Sequence, residues 1–319
     1  MLRFLTVVCL FLAASSALAQ DWPNRAIRII VPFPPGGATD IPARLIAPRL
    51  TEALGQPVLI ENRTGAGGII GIQAAAQSQP DGYTMLMATN GELVMNPAIY
   101  PKLPYDPFKD FIPISIMIES PMLLVVSASS SFNTMAEVLA AAKAKPGSLS
   151  YSTAGTGSTS HVLTEMMALL ADVKLLHVPY KGGAPASAAA ANGEVSMALL
   201  NLGSAVNFVK GGKAKALAVT SASRLPNFPD WPTAVEAGIP GFVEAIWVGM
   251  AAPAGTRRDI VERMSAEVAK ALRAPEVRER LVSLGNEPLG TTPEEAAARI
   301  KREVPRFAAA IKQANIRPD

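Results

Sequence analysis

Apolar residues along the chain come in short, β-branched bursts separated by glycine- and proline-rich turns, with longer amphipathic stretches between them. Residues 26–32 (AIRIIVP) predict a strand that stops at the turn Phe33-Pro34-Pro35-Gly36-Gly37. Thr39 or Asp40 then caps a helix to about residue 54, where Gly55 ends it. A bend is expected at Pro48, since an interior proline removes a helix hydrogen bond. Residues 58–61 predict a second strand, Gly65-Ala66-Gly67-Gly68 leads into a small-residue helix to 79, and 83–89 predict a third strand. A β-α-β-α-β order implies a parallel sheet with helices on its faces.

Residues 111–127 are extended and apolar, interrupted near Ser120-Pro121, which suits a strand crossing between lobes. A helix at 132–145 carries Thr134 and Glu137 in capping-box spacing. A strand at 149–153 leads through Gly155-Thr156-Gly157-Ser158 into a helix at 159–170. Further strands are predicted at 175–179, 196–201 and 214–220, and residues 246–253 form a second extended crossing. The rest is helical, at 257–272, 275–284 and 293–312, the last capped by Thr292 with Glu295. No internal repeat shows at a fixed period. The expected fold class is α/β: two lobes joined by two extended crossings, with a cleft between them. Residues 20–122 and 244–319 make lobe 1 and 123–243 lobe 2, each presenting the carboxyl ends of its strands to the cleft.

Composition narrows the function. With 49% hydrophobic residues, 24 Gly and 27 Pro among 319 residues, the chain is neither disordered nor collagen-like. A net charge of +3 without a Lys/Arg run argues against a nucleic-acid partner. Two histidines and one cysteine leave almost nothing for a metal site, and no cofactor is expected. Arg3, an apolar run at 5–14 and Ala17-Leu18-Ala19 form a secretory leader at 1–19, cleaved after Ala19. The run is shorter than the ~20 apolar residues of a membrane span. Cys9 lies inside the leader, so the exported, periplasmic product has no cysteine.

Two glycine-rich turns at strand-to-helix junctions, Pro34–Asp40 and Gly155–His161, are the strongest chemical features. Glycine admits close backbone approach, and the following helix offers unpaired N–H groups and a positive dipole end that suit an anion. Read singly, each is equally an ordinary turn with a capping residue; as a facing pair they favour binding. Three other readings compete with this one. Gly65-Ala66-Gly67 with Gly71 hints at a dinucleotide turn in an exported nucleotide-dependent enzyme, but its spacing is not G-x-G-x-x-G. Ser158 or Ser160 with His161 lacks the G-x-S-x-G elbow of a hydrolase. Lys181 either faces an acidic ligand or is a solvated surface lysine. His177 is expected to be structural, and Trp231 and Trp247 to pack the core or hinge.

Many segments in the same order match one family: Val31–Asp40 with Arg44, Glu61–Gly68, Pro80–Thr84, Tyr151–Ser158, Val178–Gly182, Ala216–Ser221, and Trp247 with Gly249. Over essentially the whole mature chain the sequence resembles the Bug-type periplasmic solute receptors of tripartite tricarboxylate transporters. The resemblance implies a type II periplasmic binding-protein fold that closes on a small carboxylate solute and delivers it to membrane subunits, with a monomer expected. Carried over by residue, it implies ligand contacts at Phe33, Gly36, Gly37, Thr39 and Asp40, and at Gly155, Thr156, Gly157 and Ser158, with His161 and Tyr180 beside them. Thr89, Asn90, Lys181 and Asn201 complete the candidate set. The chain departs from the family at Thr89-Asn90-Gly91-Glu92-Leu93, where relatives often carry a Thr-His pair, and in the nearly all-alanine helix after Gly182. Glu92 is either a solvated loop residue or a cleft-lining charge that disfavours dianionic solutes.

Overall fold

The structure is a computed structural model and describes residues 22–317; the leader at 1–19 and its cleavage point lie outside them. Its elements run β1 (Ile27–Val31), α1 (Asp40–Leu54), β2 (Val58–Asn62), a short turn of helix (Ala66–Gly68), α2 (Ile69–Ala76) and β3 (Thr84–Thr89). A π-helical turn (Gly91–Met95) runs into α3 (Asn96–Ile99), followed by β4 (Phe111–Ser127), α4 (Met135–Ala144), β5 (Ser150–Thr153) and α5 (Thr159–Ala171). Then come β6 (Leu176–Pro179), α6 (Gly183–Asn192), β7 (Met197–Asn201), α7 (Leu202–Lys210) and β8 (Ala214–Val219). The chain closes with β9 (Ala245–Pro253), α8 (Arg258–Arg273), α9 (Pro275–Ser283), β10 (Glu287–Pro288) and α10 (Pro293–Gln313).

Successive strand side chains point to opposite faces, and the central strands use both. In β1, Ile27, Ile29 and Val31 join one apolar layer and Ile30 another; in β3, Met85 and Met87 join the first, Leu86 and Ala88 the second. Such continuous apolar runs belong to a sheet covered by helices on both sides. Each buried Ile, Val, Leu or Met among these contributes about 1.5–3 kcal/mol before chain entropy is subtracted.

Among the described residues ten strands form one sheet in two halves that share β4. The first half has the order β2-β1-β3-β9-β4, with β1 parallel to β2 and β3 and with β9 reversed between β3 and β4. The second has β6-β5-β7-β4-β8, with β5 parallel to β6 and β7 and with β4 reversed between β7 and β8. The halves therefore repeat one strand order that the sequence, lacking a periodic repeat, does not display. This is the type II binding-protein arrangement of two α/β lobes.

Residues 111–121 of β4 pair with β9, and from Met122 onward β4 pairs with β7 and β8. The interruption expected at Ser120-Pro121 does not occur. Proline, which has no N–H to give a ladder, sits where the strand exchanges one set of partners for the next. The chain returns through Thr220, whose N–H bonds Met122 O at 3.0 Å, and Glu244, whose N–H bonds Thr220 O at 3.0 Å. Helix α10 straps both crossings: Arg299 Nη1 donates to Glu119 Oε2 of β4 at 2.6 Å, and Trp247 Nε1 of β9 donates to Glu303 Oε2 at 2.8 Å. Both predicted capping boxes, Thr134/Glu137 and Thr292/Glu295, are formed. The helices at 91–99 and 202–210 were not predicted, because Gly91, Pro97 and Gly203 mask their patterns.

Candidate functional site

The first turn follows β1. Gly36 takes a left-handed φ of +81° and donates its N–H to Asp40 Oδ2 at 2.8 Å. Arg44 Nε reaches both Asp40 oxygens at 3.0 and 2.9 Å, and Asn62 Nδ2 donates to Oδ1 at 2.8 Å and to Phe33 O at 2.9 Å. These donors fill the roughly four acceptor sites of a carboxylate. Burial alone would raise the Asp40 pKa, but the bonds from Arg44, Gly36 and Asn62 outweigh it and hold the carboxyl below its ordinary range. Asp40 thus shapes the loop from within, with its carboxylate oxygens taken up by Gly36, Arg44 and Asn62. Thr39 occupies the cap position of α1 but has helical φ and ψ and makes no cap bond, contrary to expectation. Its Oγ1 is buried without a partner. A Cβ on Gly36 would meet nothing within 4 Å, and one on Gly37 only Pro34 O at 3.5 Å. An unpaired hydroxyl therefore stands in a turn whose glycines have open space beside them.

The second turn follows β5 and is held by neutral groups. Gly155 adopts φ +133°, a conformation that suits only glycine. Ser158 Oγ donates to Gly155 O at 2.6 Å and accepts from His161 N at 3.4 Å, capping α5. Ser160 Oγ accepts from Ala154 N at 3.0 Å. Thr156 is half-buried. His161 is buried, and its Nδ1 accepts the Gly157 N–H at 3.1 Å, so that nitrogen carries no proton. Its ring stacks on His177 with centroids 3.8 Å apart, and His177 in turn stacks on Tyr151 at 5.1 Å. His177 packs within this stack, and His161 Nδ1 ties the turn to α5.

The lobes meet beside this turn. A Cβ on Gly157 would lie 3.4 Å from Ile99 and from Tyr100 Oη, and one on Gly91 3.0 Å from Thr159 Oγ1. The β3 turn with Thr89, Asn90 and Glu92 therefore abuts the start of α5. Tyr180 N bonds Thr153 O at 3.0 Å, tying the end of β6 to the second turn, while its hydroxyl reaches Glu194 at 3.3 Å on the surface. Lys181 is exposed. Asn201 is occupied elsewhere: Oδ1 accepts from Gly203 N at 2.9 Å to cap α7, and Nδ2 donates to Ser120 Oγ at 3.0 Å. Gly71 is explained by packing, since a Cβ there would stand 2.5 Å from Arg63 O and 2.9 Å from Pro32 Cα.

Sequence reasoning did not assign roles to Arg44 and Asn62. The i,i+4 spacing of Asp40 and Arg44 was a usable signal. Asn62 was hidden, because it reaches the loop only through its register opposite Val31.

Comparison with known proteins gives one answer. The family profile described as tripartite tricarboxylate transporter family receptor matches residues 42–316. Protein BugT of Bordetella pertussis is 35% identical over 318 residues, covering 98% of each chain. The structure of R. palustris Rpa4515 with adipate is 36% identical, covers 93% of this chain and 99% of that one, and superposes with a TM-score of 0.87. That of the periplasmic binding protein BugD is 35% identical over 93% of this chain and 100% of that one, with a TM-score of 0.84.

Proposed function

The chain belongs to the receptor family of the tripartite tricarboxylate transporters, and from that premise we propose a periplasmic receptor that closes two lobes on the carboxylate of a small solute. The adipate held by a relative supports the solute class. Lobe 1 comprises 20–122 and 244–319, lobe 2 comprises 123–243, and β4 and the chain entering β9 form the hinge. Phe33, Gly36, Gly37 and Thr39 form one jaw, and Gly155, Thr156, Gly157 and Ser158 the other. Asp40 and His161 hold these jaws in shape. The leader is removed after Ala19, and the mature chain acts as a monomer that hands its solute to membrane subunits without catalysing a reaction.

The buried, unpaired Thr39 hydroxyl carries this reading. Leaving such a group unsatisfied costs about 1–3 kcal/mol, a cost removed when a carboxylate accepts a hydrogen bond from it. On the opposite jaw the N-terminus of α5 adds about 0.3–1 kcal/mol toward an exposed anion, and more where water is excluded. Binding then shifts the open form to the closed one by contacts that only the closed form makes.

Thr39→Val separates function from packing, because the two roles move in opposite directions. The unliganded variant should melt no lower than wild type, while affinity for the bound carboxylate in a thermal-shift panel falls about tenfold or more. Gly37→Val should likewise fold, since a Cβ there makes only an ordinary contact with Pro34 O, and lose binding. A Thr39→Val protein that binds as wild type does would remove the first turn from the site.

A further inference from the structure

Glu92 is only 6% exposed, which rules out a solvated loop residue. Its Oε2 accepts from Thr89 N and Thr89 Oγ1, both at 2.7 Å, while Gly91 N donates to Thr89 Oγ1 at 3.0 Å. Thr89-x-x-Glu92 is thus a capping arrangement in which a carboxylate occupies the donors of the third turn. Burial pushes the carboxyl above its ordinary range, with the Thr89 bonds only partly opposing. Among the described residues no lysine or arginine forms an ion pair with it.

Asn90, 1% exposed, donates Nδ2 to Ala245 O at 3.0 Å, and its Oδ1 is buried without a partner. The carbonyl partner fixes the orientation of the amide, so the free atom is an acceptor. Gly91, the residue between them, is where the β3 turn meets Thr159 of the other lobe: a Cβ there would lie 3.0 Å from Thr159 Oγ1. The first two turns offer donors to an anion. This one holds a carboxylate of its own and an unused acceptor.

We propose that Glu92 and Asn90 set the charge of the solute's second end: the receptor selects a carboxylate whose far end is an ammonium or other N–H donor, and it rejects a second carboxylate there. This rests on the carboxylate-receptor reading above. A second carboxylate brought beside Glu92 in a water-poor cleft meets like charge, and either Glu92 or the solute must take up a proton before both fit. An ammonium supplies the missing counter-charge and a donor for Asn90 Oδ1.

Calorimetric titration of the full mature chain with length-matched sets tests this: succinate, butyrate and γ-aminobutyrate, then adipate, caproate and ε-aminocaproate. Wild type should bind the amino member of a set at least about tenfold tighter than its dicarboxylate. Glu92→Gln, which keeps an acceptor for Thr89, should narrow that ratio about tenfold or more, chiefly by gaining dicarboxylate affinity. Its melting temperature without solute should not fall. A wild type that takes the dicarboxylate as tightly as the amino acid overturns the inference, as does an unchanged ratio in Glu92→Gln. Failure of every member of both sets to bind would instead overturn the carboxylate reading itself.

Discussion

The first and second turns occupy the same place in a repeated strand order, yet they are held by opposite chemistry. After β1 the loop is drawn together by a buried carboxylate with a guanidinium and two neutral donors, Asp40 with Arg44, Gly36 and Asn62. After β5 the same task falls to uncharged groups: the Ser158 and Ser160 hydroxyls and an imidazole accepting from Gly157. Topology therefore dictates where a strand-to-helix turn lies but not what holds it in shape. An ionic scaffold carries its own charge balance and leaves the Thr39 hydroxyl free. A neutral scaffold leaves the positive end of α5 uncompensated for an incoming anion.

That difference is open to direct attack. Asp40→Ala should have the largest effect, about 2–3 kcal/mol in urea unfolding together with loss of carboxylate binding, because it strands the Gly36 N–H and frees Arg44 and Asn62. Ser158→Ala should cost about 1 kcal/mol, the usual worth of a helix cap, since Ser160 and His161 still support the loop. The smallest effect is one of shape. Asp40 has a native pKa below its ordinary 3.8, so its stabilisation is present above that value and lost as pH falls through the lower native one. The gap between wild type and Asp40→Asn should therefore close in acid, while the gap between wild type and Ser158→Ala stays level over the same pH range. Equal closure in both would show that the turns are not held differently.

Much of this was legible in the sequence, for local reasons. Short apolar bursts, Gly55 as a helix stop and the Thr134 and Thr292 boxes are signals within a few residues, and each was found where the pattern placed it. What stayed hidden was set by register and by long-range pairing. Asn62 enters the first turn from a neighbouring strand, and His161 and His177, sixteen positions apart in the chain, meet only because β6 lies beside β5. Thr89-x-x-Glu92 was visible as spacing, but Gly91 and Pro97 disguised the helix it caps.

The sharing of β4 bears on how this protein can be taken apart. Met122–Val125 of that strand fill the slot between β7 and β8, so half of the second sheet's centre is supplied by a strand that begins in the first. A second-lobe fragment begun only after β4, at Ala128, would carry two naked strand edges facing an empty slot, an invitation to pair with another copy. The first lobe, cut there, would keep a strand end with no neighbours. The second lobe is a transplantable unit only if it keeps residues 122–127 of β4, and a working chimera of two such receptors would have to exchange that part of β4 with it.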